Sequence, residues 1–197
     1  PARFVDSELG PIPEGWEVGP LSTIAELRTE TIVPRRNPEA VWEHYSIPAF
    51  DEGRMPKREH GRDIKSGKYK VPRTAVLVSK LNPQFPRVWL PDIVNEERAI
   101  CSTEFMPFVP IRLEWRPLLY ELLKSDRVQE SIRSAVTGST GSRQRVKPKT
   151  LASMRVNLAP TEILDAFCMR NTSLHTLMLS NGRECLTLAS LRDTLLP

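Results

Sequence analysis

The final stretch of the chain restricts its fold more than any other. From Ile163 the spacings alternate between four and three residues: Ile163, Phe167, Arg170, Leu174, Leu177, Asn181, Glu184, Leu188, Leu191 and Leu195. This heptad-like seam, apolar except at Arg170, Asn181 and Glu184, predicts a helix running to the end of the chain. At 1.5 Å per residue such a helix is roughly 50 Å long. A helix of that length with one apolar stripe needs a partner, and a polar Asn181 within the stripe can set register at some cost in stability. Gly182 weakens a helix by about 1 kcal/mol relative to alanine, so a bend there, or two shorter helices packed on the chain's own core, stays open. The expected association surface is Ile163, Phe167, Leu174, Leu177, Asn181, Leu188, Leu191 and Leu195. The chain thus divides into a body over residues 1–160 and a helix over 161–197.

The body reads as α+β, a small twisted mixed sheet or partial barrel with flanking helices. Eighteen prolines among 197 residues mark many turns and strand boundaries. GPIPEGWEV supplies turns before a short strand, and PLSTIAEL predicts a short helix with Leu21, Ile24, Ala25 and Leu27 inward. From Thr31 to Lys70 short apolar pieces alternate with proline-punctuated polar stretches, which reads as strands and long loops. TAVLVSKL (Thr74 to Leu81) is the clearest buried strand, followed by the turn NPQFP and the strand RVWL. AICSTEF and MPFVPIRL predict another strand pair. From Pro117 to Ala135 the apolar spacing becomes helical, with Pro117 in the first turn, where its missing N–H has no partner to lose. A further helical turn or two is expected around Leu151 and Met154, with a break at Pro160.

Charge is unevenly spread. The net charge is only +4, yet eight Lys and Arg lie between Gly53 and Arg73 against Glu59 and Asp63 alone. Five more basic residues and no acid lie between Ser142 and Arg155, so the remainder of the chain is net acidic. Two concentrated basic segments suit a polyanion-binding face, because neutralising phosphates releases counterions; two solvated loops are the alternative. No apolar run approaches a membrane span and no signal peptide opens the chain, so the expected compartment is the cytoplasm. The chain begins at Pro1 without an initiator Met, which suggests a fragment or a processed product.

Several chemistries are excluded by spacing. Cys101, Cys168 and Cys185 are far apart and form no CxxC pair, so neither a zinc site nor any other metal site is expected. In TGSTGSRQRVKPKTL (Thr137 to Leu151), Gly138 and Gly141 are separated by two residues and followed by Ser142-Arg143, and the stretch follows a helix. A phosphate-binding P-loop needs four residues between its glycines, then Lys-Ser/Thr, after a strand. LNPQF resembles the Asn-Pro-Pro-aromatic motif of amino-methyltransferases, but it lacks the second proline. No glycine-rich turn for S-adenosylmethionine accompanies it, so no cofactor is expected. No GxSxG, HExxH or nuclease carboxylate triplet appears, and Glu96, Glu97 and Glu104 read as surface carboxylates.

Taken in order, DSELGPIPEGWEV, VLVSKLNPQFPRVW, ICSTEF, TGSTGSRQRVKPKTL and LTLASLRDTLLP resemble specificity (HsdS) subunits of type I restriction–modification systems. The resemblance covers nearly the whole chain and rests on the order and spacing of the pieces. It implies two target recognition domains per subunit, each followed by a long helix, with the helices packed antiparallel as a spacer. Only one such domain, over 1–160, and one helix, over 161–197, are present here. The resemblance is therefore to half of a specificity subunit, either a C-terminal fragment or a half-subunit that pairs with itself.

The resemblance implies double-stranded DNA as ligand, with methyltransferase and restriction subunits as partners and all catalysis in them. A recognition domain from a single-chain restriction–methylation enzyme is the alternative, and RNA binding a lesser one. Within TGSTGSRQRV, Ser139, Thr140 and Ser142 can donate hydrogen bonds to phosphate. Arg143 and Arg145 suit phosphate or guanine, Gln144 suits the adenine edge, and Lys147 continues the basic run. A helix cap followed by a solvated loop is the plainer reading of that stretch. Sequence readout is expected from the irregular region between the frame elements, with Arg35, Arg36, Lys57, Arg58, Arg62, Lys65, Lys68 and Lys70 as candidates and Lys80, Asn82 and Arg87 around the NPQFP turn; their division between base and phosphate contacts stays open.

Overall fold

The structure, a computed structural model, describes residues 3–136 and 144–195. Two short strands, β1 (Phe4–Val5) and β2 (Ile12–Pro13), form an opening hairpin and lead into β3 (Glu17–Pro20). PLSTIAEL, expected as a helix, makes only a 3-10 turn over Leu21–Thr23 before strand β4 (Ala25–Leu27). Tertiary partners override the helical spacing there: Leu21 N–H donates to Met154 O at 2.8 Å, and β4 pairs with a later strand.

There follow β5 (Thr31–Ile32), β6 (Val41–Tyr45), the short helix α1 (Ile47–Asp51), β7 (Lys57–His60) and β8 (Lys68–Lys70). Ser46 caps α1, its Oγ accepting from Ala49 N–H at 3.2 Å. Next come β9 (Val76–Ser79), β10 (Val88–Trp89), β11 (Ala99–Cys101) and β12 (Phe105–Pro110). Helices α2 (Arg116–Lys124), α3 (Asp126–Ser134) and α4 (Pro148–Ala152), strand β13 (Arg155–Leu158) and helix α5 (Thr161–Leu195) complete the described chain.

Two open sheets carry the body. One is antiparallel in the order β10-β9-β12-β4; the other is mixed, in the order β5-β8-β11-β6-β7, with β11 and β6 parallel. Strand β9 is buried at all four positions, Val76, Leu77 and Val78 as their apolar run predicts and Ser79 as a buried hydroxyl, and its alternation divides two cores. Val76 and Val78 face Met106, Phe108 and the apolar sides of α2 and α3, including Leu119, Leu123 and Ile132. Leu77 faces the other way, into Tyr45, Phe50, Trp89 and Phe105 between the sheets. Arg116 spans the seam, its Nη2 donating to Pro91 O at 2.5 Å and Ala75 O at 3.3 Å. Burial lowers its pKa to about 10.

The helix expected over Pro117 to Ala135 is two helices. Ser125, extended at ψ 143°, ends α2 and caps α3, with its Oγ accepting from Val128 N–H at 3.4 Å. The helical turn near Leu151 is present as α4, but it stops at Ala152, and Arg155–Leu158 instead zips antiparallel onto β3. Helix α5 is continuous over 35 residues, about 52 Å, and passes Gly182 without a break. One of its faces packs on the body: Leu164, Cys168 and His175 are buried. His175 donates from Nε2 to Glu121 at 2.9 Å, and its ring meets Tyr120 edge-on. Farther along, Arg183 Nη2 donates to Asp92 at 2.9 Å.

Candidate nucleic-acid interface

The NPQFP turn is built from both sides. Strand β9 ends at Ser79, whose Oγ accepts from Leu81 N–H at 3.1 Å. Asn82 then takes a left-handed conformation (φ 46°), which Asn tolerates better than most residues. Phe85 N–H donates to Asn82 O at 3.0 Å and closes the turn around Pro83. Against this turn lies the chain that re-enters at Gln144. Asn82 N–H donates to Gln144 O at 2.9 Å and Val146 N–H to Lys80 O at 3.0 Å, flanking an antiparallel bridge between Leu81 and Arg145. Buried Val146 anchors the inner side, while Lys147 is exposed just before α4. Two segments about sixty residues apart in sequence thus make one surface.

Lys80 and Asn82 are expected in one DNA-contacting region and Gln144, Arg145 and Lys147 in another, and the fold brings the two side by side. Arg87 also lies there, but its guanidinium is bound bidentately to Asp51 at 2.8 and 2.9 Å and is largely covered. That contact holds the Asp51 carboxyl below its ordinary range. Arg145 likewise grips Glu104 at 2.9 and 3.0 Å, which raises the guanidinium's already high pKa. Asp51 and Glu104 are thus each offset by an arginine, while Lys80 and Lys147 make no ion pair among the described residues. Ser139, Thr140 and Arg143 lie outside the described residues. Two residues at this surface were not anticipated: Gln84, whose amide meets that of Gln144 at 3.4 Å, and Phe85, which is 62% exposed.

The other basic segment folds onto the mixed sheet. Arg35 and Arg36 are exposed on a 3-10 turn (Pro34–Arg36) that meets a second one (Gly61–Asp63) bearing Arg62. Only glycine fits at the crossing: a Cβ on Gly61 would stand 2.2 Å from Asn37 O and 2.5 Å from Pro34 O. Arg62 donates from Nη1 to both carboxylate oxygens of Glu39, at 2.8 and 2.9 Å. Lys57 pairs with Glu52 at 2.9 Å and Lys70 with Glu30 at 2.6 Å. Lys68 is buried, its ammonium donating to Ser66 Oγ at 2.7 Å, and burial lowers its pKa. It is a packed residue and offers nothing to a ligand at the surface. Arg58 and Lys65 are exposed, with no ion pair among the described residues.

Strand register sets Lys57, Glu59, Lys68 and Lys70 on one face of this sheet, with Trp42 and His44. His44 donates from Nδ1 to Glu59 at 2.5 Å, and burial lowers its pKa despite that partner. Cys101 and Cys168 are buried and Cys185 is exposed, and burial pushes the Cys101 thiol up. Among the described residues no cluster of three His, Cys, Asp or Glu side chains could hold a metal. No helix among them is long and apolar enough to cross a membrane.

No protein-family profile and no curated protein matches the sequence. Solved structures do match the fold. The HsdS subunit from Thermoanaerobacter tengcongensis superposes with a TM-score of 0.66 at 20% identity, over 93% of this chain and 48% of that one. A chain from a structure describing complex assembly and conformational transition of the type I R-M system gives 0.65 at 23% identity, over 94% and 48%. The type I restriction–modification S subunit from M. genitalium gives 0.58 at 13% identity, over 91% and 44%. The chain has the fold of these proteins and spans about half the length of each.

Proposed function

We propose that this chain is one recognition half of a type I restriction–modification specificity subunit, with residues 1–160 as target recognition domain and 161–197 as spacer helix. The observation that carries this reading is a basic, amide-bearing turn on the body joined to a 35-residue helix whose second apolar face is exposed among the described residues. In that seam Ile163, Phe167, Leu174, Leu177, Leu188, Leu191 and Leu195 are 37–75% exposed, although the opposite face packs on the body. A seven-residue repeat drifts around a straight helix, so a partner helix would wrap it with a left-handed supercoil. The fold shared with chains twice its length supports a second recognition half, or a second copy, as that partner.

In this reading the body binds duplex DNA in a cytoplasmic assembly. Lys80, Lys147 and the exposed Arg35, Arg36, Arg58 and Lys65 supply phosphate contacts, and Gln144 addresses base edges. Methyltransferase subunits dock on the assembly, restriction subunits join it, and the chemistry resides in them. The test is retention of randomised duplexes by the chain at two salt concentrations, followed by sequencing. A short enriched motif whose binding weakens with salt is the expected result, and an inverted repeat of it indicates self-pairing. Leu177→Glu with Leu188→Glu should convert a dimer to a monomer in sedimentation. No enrichment, even with methyltransferase subunits added, overturns the reading.

A further inference from the structure

We propose that Phe85 is a stacking wedge, its ring entering a base step of the bound duplex; this rests on the reading that the chain binds DNA. The ring is one of two largely exposed aromatics among the described residues of the body. Tyr45, Phe50, Trp89, Phe105 and Phe108 are 0–7% exposed, whereas Phe85 is 62% exposed at the apex of its turn and Phe4, on the opening hairpin, 63%.

The pedestal is stiff. Pro83 and Pro86 fix φ on either side of the Gln84-Phe85 pair, and the Phe85 N–H is tied to Asn82 O at 3.0 Å. Ser79 N–H donates to Arg87 O at 2.9 Å and holds the returning strand, while the Gln144 segment holds the outgoing one. A side chain presented on such a turn loses little backbone freedom on binding.

The surroundings favour a nucleic acid over a protein surface. The Arg87 guanidinium stands 5.8 Å from the centre of the Phe85 ring, and the amide of Gln84, next to it in the turn, meets that of Gln144 at 3.4 Å. Asp51 and Glu104 are each paired with an arginine, which offsets their repulsion of phosphate. A single ring flanked by amides and cations matches the insertion of an apolar wedge between base pairs, with polar side chains reading the adjacent edges.

The experiment uses the intact chain and a duplex carrying its enriched motif, with 2-aminopurine placed in turn at each step of that motif. Wild-type binding should raise fluorescence at one step, reporting unstacking, and Phe85→Ala should abolish that rise. The same change should weaken binding by about 5- to 150-fold, as removal of a stacking aromatic does, and leave the salt slope unchanged because no phosphate contact is lost. Phe85→Trp should restore both signals. If Phe85→Ala binds the motif as tightly with the same fluorescence, the wedge is refuted and DNA recognition stands. If Phe85→Ala loses only its association with a methyltransferase subunit, the ring is a protein contact and the wedge is refuted. Binding without any enriched motif leaves no site for a wedge, and failure of the wild-type chain to bind any duplex removes both proposals.

Discussion

Two basic regions that look alike as sequence are different surfaces once folded. Along the mixed sheet, Lys57, Arg62 and Lys70 each meet a glutamate, and Lys68 is buried. At the NPQFP turn it is the arginines that are consumed, by Glu104 and Asp51, while Lys80 and Lys147 have no ion pair among the described residues. The lesson is that charge density along a chain overstates the field at a surface when acids from elsewhere fold beside it. Glu30, Glu39 and Glu52 all lie outside the Arg54-to-Arg73 run that they partly neutralise.

That contrast can be broken most forcefully at Gly61. Gly61→Ala must push apart two backbone turns, and overpacking of this kind costs about 1–3 kcal/mol or more. Melting temperature should fall by about 2–12 °C, with the NPQFP turn left intact. Next in size is a matched pair of double substitutions read by DNA binding. Lys80→Ala with Lys147→Ala should lower the slope of log K against log salt by about 2, whereas Lys57→Ala with Lys70→Ala should change it by less than about 1.

A pH series probes the mixed sheet alone. The folded pKa of His44 lies below its ordinary 6.5, so the unfolded chain takes up more protons in the window beneath that value. Stability from neutral His44 is present above the window and lost as pH falls through it, and His44→Gln should flatten that loss in melting curves. Arg62→Ala is expected to do least, about 0–1 kcal/mol in denaturant unfolding, because its pair with Glu39 is exposed.

Elements whose partners are local or whose burial is complete could be read directly from the residues. Ala75–Val78 is one uninterrupted apolar run, and the α5 seam repeats over more than thirty residues. Leu21–Leu27 and Arg155–Leu158 could not be read, because each takes its form from a strand far away in sequence. The site divides in the same way. Lys80, Asn82 and Gln144 have residue types that suit nucleic acid, but only the ladder between Lys80–Asn82 and Gln144–Val146 places them side by side. Phe85 in a proline-rich turn carries no periodic signal, and its exposure follows from that ladder and from the neighbouring β10.

The pairing of β3 with β13 reaches beyond packing. Glu17 stands opposite Leu158 and Pro20 opposite Arg155, and Leu21 N–H continues the ladder to Met154 O. Everything from Thr23 to Ser153 is thereby a closed excursion whose two ends leave from adjacent strands. The strand pair therefore fixes where the excursion begins and ends but not how long it is or how it is folded between. What the excursion must keep is the flank bearing Asp92, Tyr120 and Glu121, because the long helix lies against it.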